Sequence, residues 1–136
     1  MHRNAKKLCA GALFAALAGC CTSYGRVATI EKTSVPDSPD IPGLEAVITD
    51  AVTQLGFANS RQESVDGGMT MYSVRDRRNA VGVLIDHQTL GVKIRWDRQT
   101  TADFASQVQI EIERRFTAKY HVPLQFADIP CGWLGP

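Results

Sequence analysis

Apolar positions recur along this chain with two different periods, and the switches between them mark its elements. Leu44, Val47, Ile48, Ala51, Val52 and Leu55 fall at i, i+3, i+4, i+7, i+8 and i+11, the spacing of one helix face. This predicts a helix from Gly43 or Leu44 to Leu55. Pro42 suits its first turn, and Gly56 the left-handed residue that follows its last. Phe57 then returns to the core. Ala58 to Val65 is weakly patterned, an irregular edge strand before the turn at Asp66-Gly67-Gly68.

The period then changes to two. Met69 to Arg75 is rich in β-formers, and Arg75-Asp76-Arg77-Arg78-Asn79 is a polar break. Val81, Val83 and Ile85 alternate with Ala80, Gly82 and Leu84, and Leu90, Val92, Ile94 and Trp96 with Gly91, Lys93 and Arg95. Alternation of this kind places one set on the core and the other, with Lys93 and Arg95, toward water. Thr100 or Thr101 then offers an N-cap, with Asp103 in the first turn of a second helix. Phe104, Ala105, Val108, Ile112 and Phe116 form its buried stripe, and Gln107, Glu111, Arg114 and Arg115 its exposed side. It should end near Tyr120, because Pro123 blocks its continuation.

The fold class is therefore α+β: two helices flanking a three- to four-stranded antiparallel sheet, in the order α-β-β-β-α. Each helix has a single apolar stripe, so both belong on one face of the sheet. The segment 122–136 carries Leu124, Phe126, Ile129 and Trp133 among prolines and glycines. It either packs back onto the sheet or docks on a partner. Residues 20–37 show no sustained period and read as a tether, of which the stretch 22–36 reaches at most about 50 Å. Pro36, Pro39 and Pro42 punctuate the boundary, so a single domain is expected over 38–136.

The N-terminus has its own pattern. Arg3, Lys6 and Lys7 precede an apolar run from Leu8 to Gly19 that contains no charge, as in the n- and h-regions of an export signal. At about 18 Å of helix the run is too short to span a hydrocarbon core of roughly 30 Å. It ends in Leu17-Ala18-Gly19-Cys20, which resembles the lipobox of the bacterial lipoproteins at all four positions. That resemblance implies cleavage between Gly19 and Cys20, diacylglycerol on the Cys20 thiol and a further acyl chain on the new amino group. It also implies membrane attachment through the acyl chains, since two or three of them hold a protein almost permanently. Cys21 stands where many enteric lipoproteins carry the inner-membrane retention signal Asp, so by analogy the implied location is the outer membrane, facing the periplasm. In element order the mature chain is similar to small envelope-assembly lipoproteins.

Removing residues 1–19 leaves 12 Lys and Arg against 14 Asp and Glu, a balance that does not suit a nucleic-acid binder. The charge is unevenly spread, with three basic and seven acidic residues from Cys20 to Asp66 but six basic and three acidic from Arg75 to Arg98. The basic segment is either a solvated sheet face or a surface for anionic lipid or an acidic partner. Cys9 leaves with the signal and Cys20 takes the lipid. Cys21 and Cys131 remain, either paired as a disulfide, free, or bonded between chains.

Chemistry is sparse. His87 and His121 have no metal-ligand partners at useful spacing, so no metal or other cofactor is expected beyond the covalent lipid. Adjacent Asp86 and His87 point to opposite strand faces. Ser64, Ser73 and Ser106 lack a nucleophile elbow, and there is no phosphate-cradling loop. Trp96 reads as a core aromatic. Trp133 is either a plug over the core or an anchor for a contact, and with Lys93 and Arg95 it makes a candidate interaction surface. The expected role is non-catalytic: a lipid-anchored accessory or scaffold serving an envelope protein. The alternative is a small-ligand or lipid-binding lipoprotein, with a pocket lined by Phe57, Trp96 and Phe116.

Overall fold

The computed structural model describes residues 22–30 and 38–130. Along the chain run strand β1 (Ser23–Thr29), helix α1 (Ile41–Leu55), strands β2 (Ala58–Glu63), β3 (Met69–Asp76), β4 (Asn79–Asp86) and β5 (Gly91–Asp97), helix α2 (Ala102–Tyr120) and the short strand β6 (Ala127–Asp128). The strands form one antiparallel sheet in the order β2-β3-β4-β5-β1-β6. The α+β class is as expected. The number and order of strands are corrected, with six strands among the described residues and one of them preceding the first helix.

The main correction concerns the segment read as a tether. Within it, Ser23–Thr29 is an internal strand, paired with β5 from Ser23↔Asp97 to Thr29↔Gly91 and flanked on its other side by β6. Its period-two signal is masked because the row facing the helices is Tyr24, Arg26 and Ala28, with a charged residue at its centre. Arg26 is nevertheless accommodated. Its guanidinium lies 5.0 Å from the Trp96 ring centre and donates to Gln109 Oε1 at 2.6 Å, Ser106 Oγ at 3.3 Å and Asp128 Oδ1 at 3.2 Å.

Both helices cover one face of the sheet. Leu44, Val47, Ile48, Ala51 and Val52 of α1 and Phe104, Ala105, Val108, Ile112 and Phe116 of α2 are buried against Tyr72, Val74, Val81, Val83, Ile85, Val92 and Ile94. Helix α1 starts earlier than its apolar stripe. The Asp40 carboxylate accepts from Gly43 N–H at 2.8 Å, and Pro42 sits in the first turn, where no intrahelical donor is needed. Gly56, at φ +71°, closes the other end.

For α2 the two threonines divide the work. Thr101 is the N-cap, accepting from Phe104 N–H at 3.1 Å. Thr100 is buried and bonds both backbone groups of Ala80, at 2.9 and 3.0 Å, tying the start of α2 to the start of β4. Glu111 is corrected from exposed to buried. It lies only about 20° around the helix from Phe104, and Arg114 and Arg115 reach over to pair with it.

The weakly patterned stretch after α1 is the edge strand β2, exposed along its whole length. Leu124 and Phe126 return to the core, and β6 pairs with β1 through Arg26↔Asp128 and Val27↔Ala127. Gly19, Cys20, Cys21, Cys131 and Trp133, with the expected cleavage, lipidation and disulfide, lie outside the described residues. No described helix is long and apolar enough to cross a membrane.

Candidate functional site

The helices leave the other face of the sheet uncovered by any described element, and its composition follows from the strand register. One row across this face reads Ser60, Ser73, Gly82, Arg95, Gly25, and the next reads Gln62, Met71, Leu84, Lys93, Val27, Ala127. A third, toward one end, reads Ala58, Arg75, Ala80, Asp97, Ser23. Rows with small residues are lower than rows with large ones, so the face is furrowed rather than flat.

The furrow is a shallow open groove of about 210 Å³ whose lining includes Met71, Ser73, Arg75, Gly82, Leu84 and Arg95. Gly82 forms its floor. A Cβ added there would meet nothing closer than Leu84 Cδ1 at 3.8 Å, so the space above it is open. Leu84 is buried although no helix covers it, sheltered by its cross-strand neighbours Met71 and Lys93.

Lys93 and Arg95 are half-buried on this face, and Arg75 is exposed beside them. None of the three forms an ion pair among the described residues, whereas Arg26, Arg61, Arg114 and Arg115 all do. Half-buried cations without a counter-charge, over a floor of small and apolar groups, are suited to meeting carboxylates or phosphates. Sequence reading marks Lys93 and Arg95 for this face. It misses Gly82, Met71, Leu84 and Arg75, because which residues share a row depends on cross-strand register.

A second polar cluster lies on the helix side of the sheet, running from the buried Thr70 out to the exposed edge strand β2. His87 Nε2 is 2.8 Å from Thr70 Oγ1, Thr70 donates to Glu45 Oε1 at 3.2 Å, and Arg61 donates to Glu45 Oε2 at 2.8 Å and to Glu63 Oε1 at 2.7 Å. These carboxylates hold the Arg61 guanidinium well above its ordinary range, Glu63 first and Glu45 second. Thr70 is completely buried, so its hydroxyl meets no solute. The cluster therefore binds α1 to β2, β3 and the turn after β4. Asp86 is turned elsewhere, its carboxylate accepting from Gln88 N–H at 2.9 Å and Thr89 N–H at 3.3 Å.

The three aromatics expected around a ligand pocket are separated into different pairs. Phe57 packs on Phe104 and Phe116 on Tyr120, both with ring centres 4.8 Å apart, and Trp96 stacks on Tyr24 at 6.0 Å. A pocket of about 310 Å³ lies between Thr29, Ile30, Pro39, Phe116, Val122 and Leu124, beside the ends of the segment 31–37. Among the described residues no group of His, Cys, Asp and Glu is placed to hold a metal ion. The chain matches no protein-family profile. It also has no match among curated proteins.

Proposed function

We propose that this chain is a lipid-anchored, non-catalytic accessory or scaffold protein of the bacterial cell envelope, held at the outer membrane through acyl groups on Cys20. The observation that carries the binding role is the helix-free sheet face, where Arg95 lines an open groove floored by Gly82, Lys93 stands in the next row, and neither forms an ion pair among the described residues. Such a face suits an acidic segment of a protein partner: small residues let its backbone approach, Met71 and Leu84 offer apolar contact, and the cations supply orientation. Membrane attachment raises the local concentration of this face near an envelope partner without any added contact. The anchor itself rests on the lipobox.

A photocrosslinking residue placed at Arg95 in the full-length protein, activated in cells and followed by mass spectrometry, tests the reading. The expected result is one dominant envelope protein, lost when Gly82→Leu fills the groove. Crosslinks that persist undiminished in Gly82→Leu, or only a co-purifying small molecule, would overturn the accessory role. Cys20→Ser should release the protein from membranes and end its uptake of labelled fatty acid.

A further inference from the structure

The anchor cannot act as a long leash. The first residue of β1 is Ser23, and one residue earlier the Thr22 carbonyl accepts from Arg98 N–H at 3.2 Å, so the chain is fixed in the sheet from Thr22 onward. Two peptide units separate Thr22 from Cys20, a contour of at most about 7 Å. This is shorter than the Debye length of about 8 Å at physiological ionic strength. If Cys20 carries lipid, the start of β1 stays within the electrostatic field of the headgroups, and the rest of that sheet end, up to about 14 Å away at β3, enters it when the strands stand upright on the surface.

Register shows what lies there. Ser23 opposes Asp97, Asp97 is followed by Arg98, and across the sheet the same end holds Ala80, Arg75 and the β3–β4 turn through Arg77 and Arg78. Arg75, Arg77, Arg78 and Arg98 are exposed there, and Arg95 stands one row inward. The acids at this end are Asp76, Asp97 and Asp103, of which Asp97 is engaged in capping Gln99 N–H at 2.9 Å. The opposite end is net acidic among the described residues: Asp40, Glu45, Glu63, Asp66, Asp86 and Glu113 outnumber Arg61, Arg114, Arg115 and Lys119, and Arg114 and Arg115 are paired with Glu111. The domain is thus electrically polar along its strands, with its positive end at the anchor. Arg77 also holds a left-handed backbone at φ +55°, a conformation that glycine adopts at lower cost.

We propose that the end formed by Arg75, Arg77, Arg78 and Arg98 docks flush on an anionic phospholipid surface. The inference rests on lipid attachment at Cys20. An acyl anchor plus a basic patch is a two-signal arrangement, and it fixes orientation as well as location. The strands then rise from the membrane, carrying the Lys93 and Arg95 face sideways and the exposed Val65 turn away from it. Each arginine near an anionic surface favours the docked state by about 5-fold.

The test is amide hydrogen exchange on the full-length acylated protein in phosphatidylcholine vesicles with or without phosphatidylglycerol, with the lipid on Cys20 checked by peptide mass. Exchange at 75–79 and 97–99 should slow only with phosphatidylglycerol and recover at high salt, while 64–68 stays unchanged. Arg77→Gln with Arg78→Gln should reduce that protection by roughly 25-fold. Equal exchange in both vesicles, with lipid present on Cys20, would overturn the docking and leave the anchor standing. Absence of lipid on Cys20 would overturn both. Slowing that needs added envelope proteins would assign this end to an acidic protein instead.

Discussion

The phenol oxygen of Tyr120, at the end of α2, rests directly on the Cα of Gly43, in the first turn of α1. A Cβ at Gly43 would overlap that oxygen and lie 2.8 Å from Asp40 Oδ1 and 3.3 Å from Tyr120 Cζ. Lys119 reinforces the contact, reaching the Gly43 carbonyl at 3.5 Å. Elsewhere in a helix, alanine is favoured over glycine by about 1 kcal/mol. Here the overlap reverses the sign, and we expect Gly43→Ala to destabilise the protein by roughly 1–3 kcal/mol in urea unfolding. Tyr120→Phe in the same chain removes the overlapping oxygen and should recover part of the loss. Additive losses in the double variant would show that the two residues do not meet.

The same contact has a pH signature. Burial, and then the nearby Asp40 carboxylate, raise the Tyr120 pKa above its ordinary value of 10.0. A group whose pKa is raised by folding stabilises the native state below the unfolded pKa and loses that contribution as pH rises through the folded one. Between pH 9 and 12 the urea midpoint of the native protein should therefore fall more steeply than that of Tyr120→Phe. Parallel curves would show that the phenol does not sense its burial.

Arg26 joins three elements through one side chain, since its β1 guanidinium reaches Ser106 and Gln109 on α2 and Asp128 on β6. The side chain is only 22% exposed, so its hydrogen bonds are partly shielded from water. We expect Arg26→Met to cost about 1.5–3 kcal/mol, the range for hydrogen bonds to charged groups. Arg26→Lys should recover little, because a single ammonium cannot reproduce the planar fork. Arg61→Ala removes two ion pairs on the surface, with Glu45 and Glu63, and should cost less than Arg26→Met. A lysine that fully restores stability would reduce Arg26 to a point charge.

What the sequence makes legible depends on whether an element has one apolar face. Both helices and strands β3, β4 and β5 show it, because Val81, Val83 and Ile85 or Val92, Ile94 and Trp96 all turn to the same core. Strand β1 inserts Arg26 into its core-facing row, and β2 has no buried residue at all, held only by pairing such as Ser60↔Ser73. Pairing of that kind leaves no periodic trace. The groove is partly legible for the same reason. Lys93 and Arg95 follow from alternation along one strand, whereas their apposition to Gly82, Gly25 and Leu84 is a property of register between strands. The shortness of the span from Cys20 to the sheet becomes visible only once β1 is recognised.

The placement of β1 makes the most discriminating stability prediction. A tether tolerates shortening, because loop length changes closure entropy only slowly. An internal strand does not, since its removal exposes the edges of β5 and β6 and uncovers the part of the core under Ala28 and Ile30, both buried. Deleting 22–30 from the full chain should therefore abolish the cooperative unfolding transition. A point substitution separates lost pairing from a changed length. Ala28 is fully buried, so Ala28→Asp places a carboxylate against Val92 and its neighbours and should cost more than about 3 kcal/mol. Ser23, in the same strand but exposed, should accept aspartate within about 0.5 kcal/mol. If Ala28→Asp and Ser23→Asp behave alike and the deletion still unfolds cooperatively, β1 contributes nothing to the fold and the short span proposed between Cys20 and the sheet is lost as well.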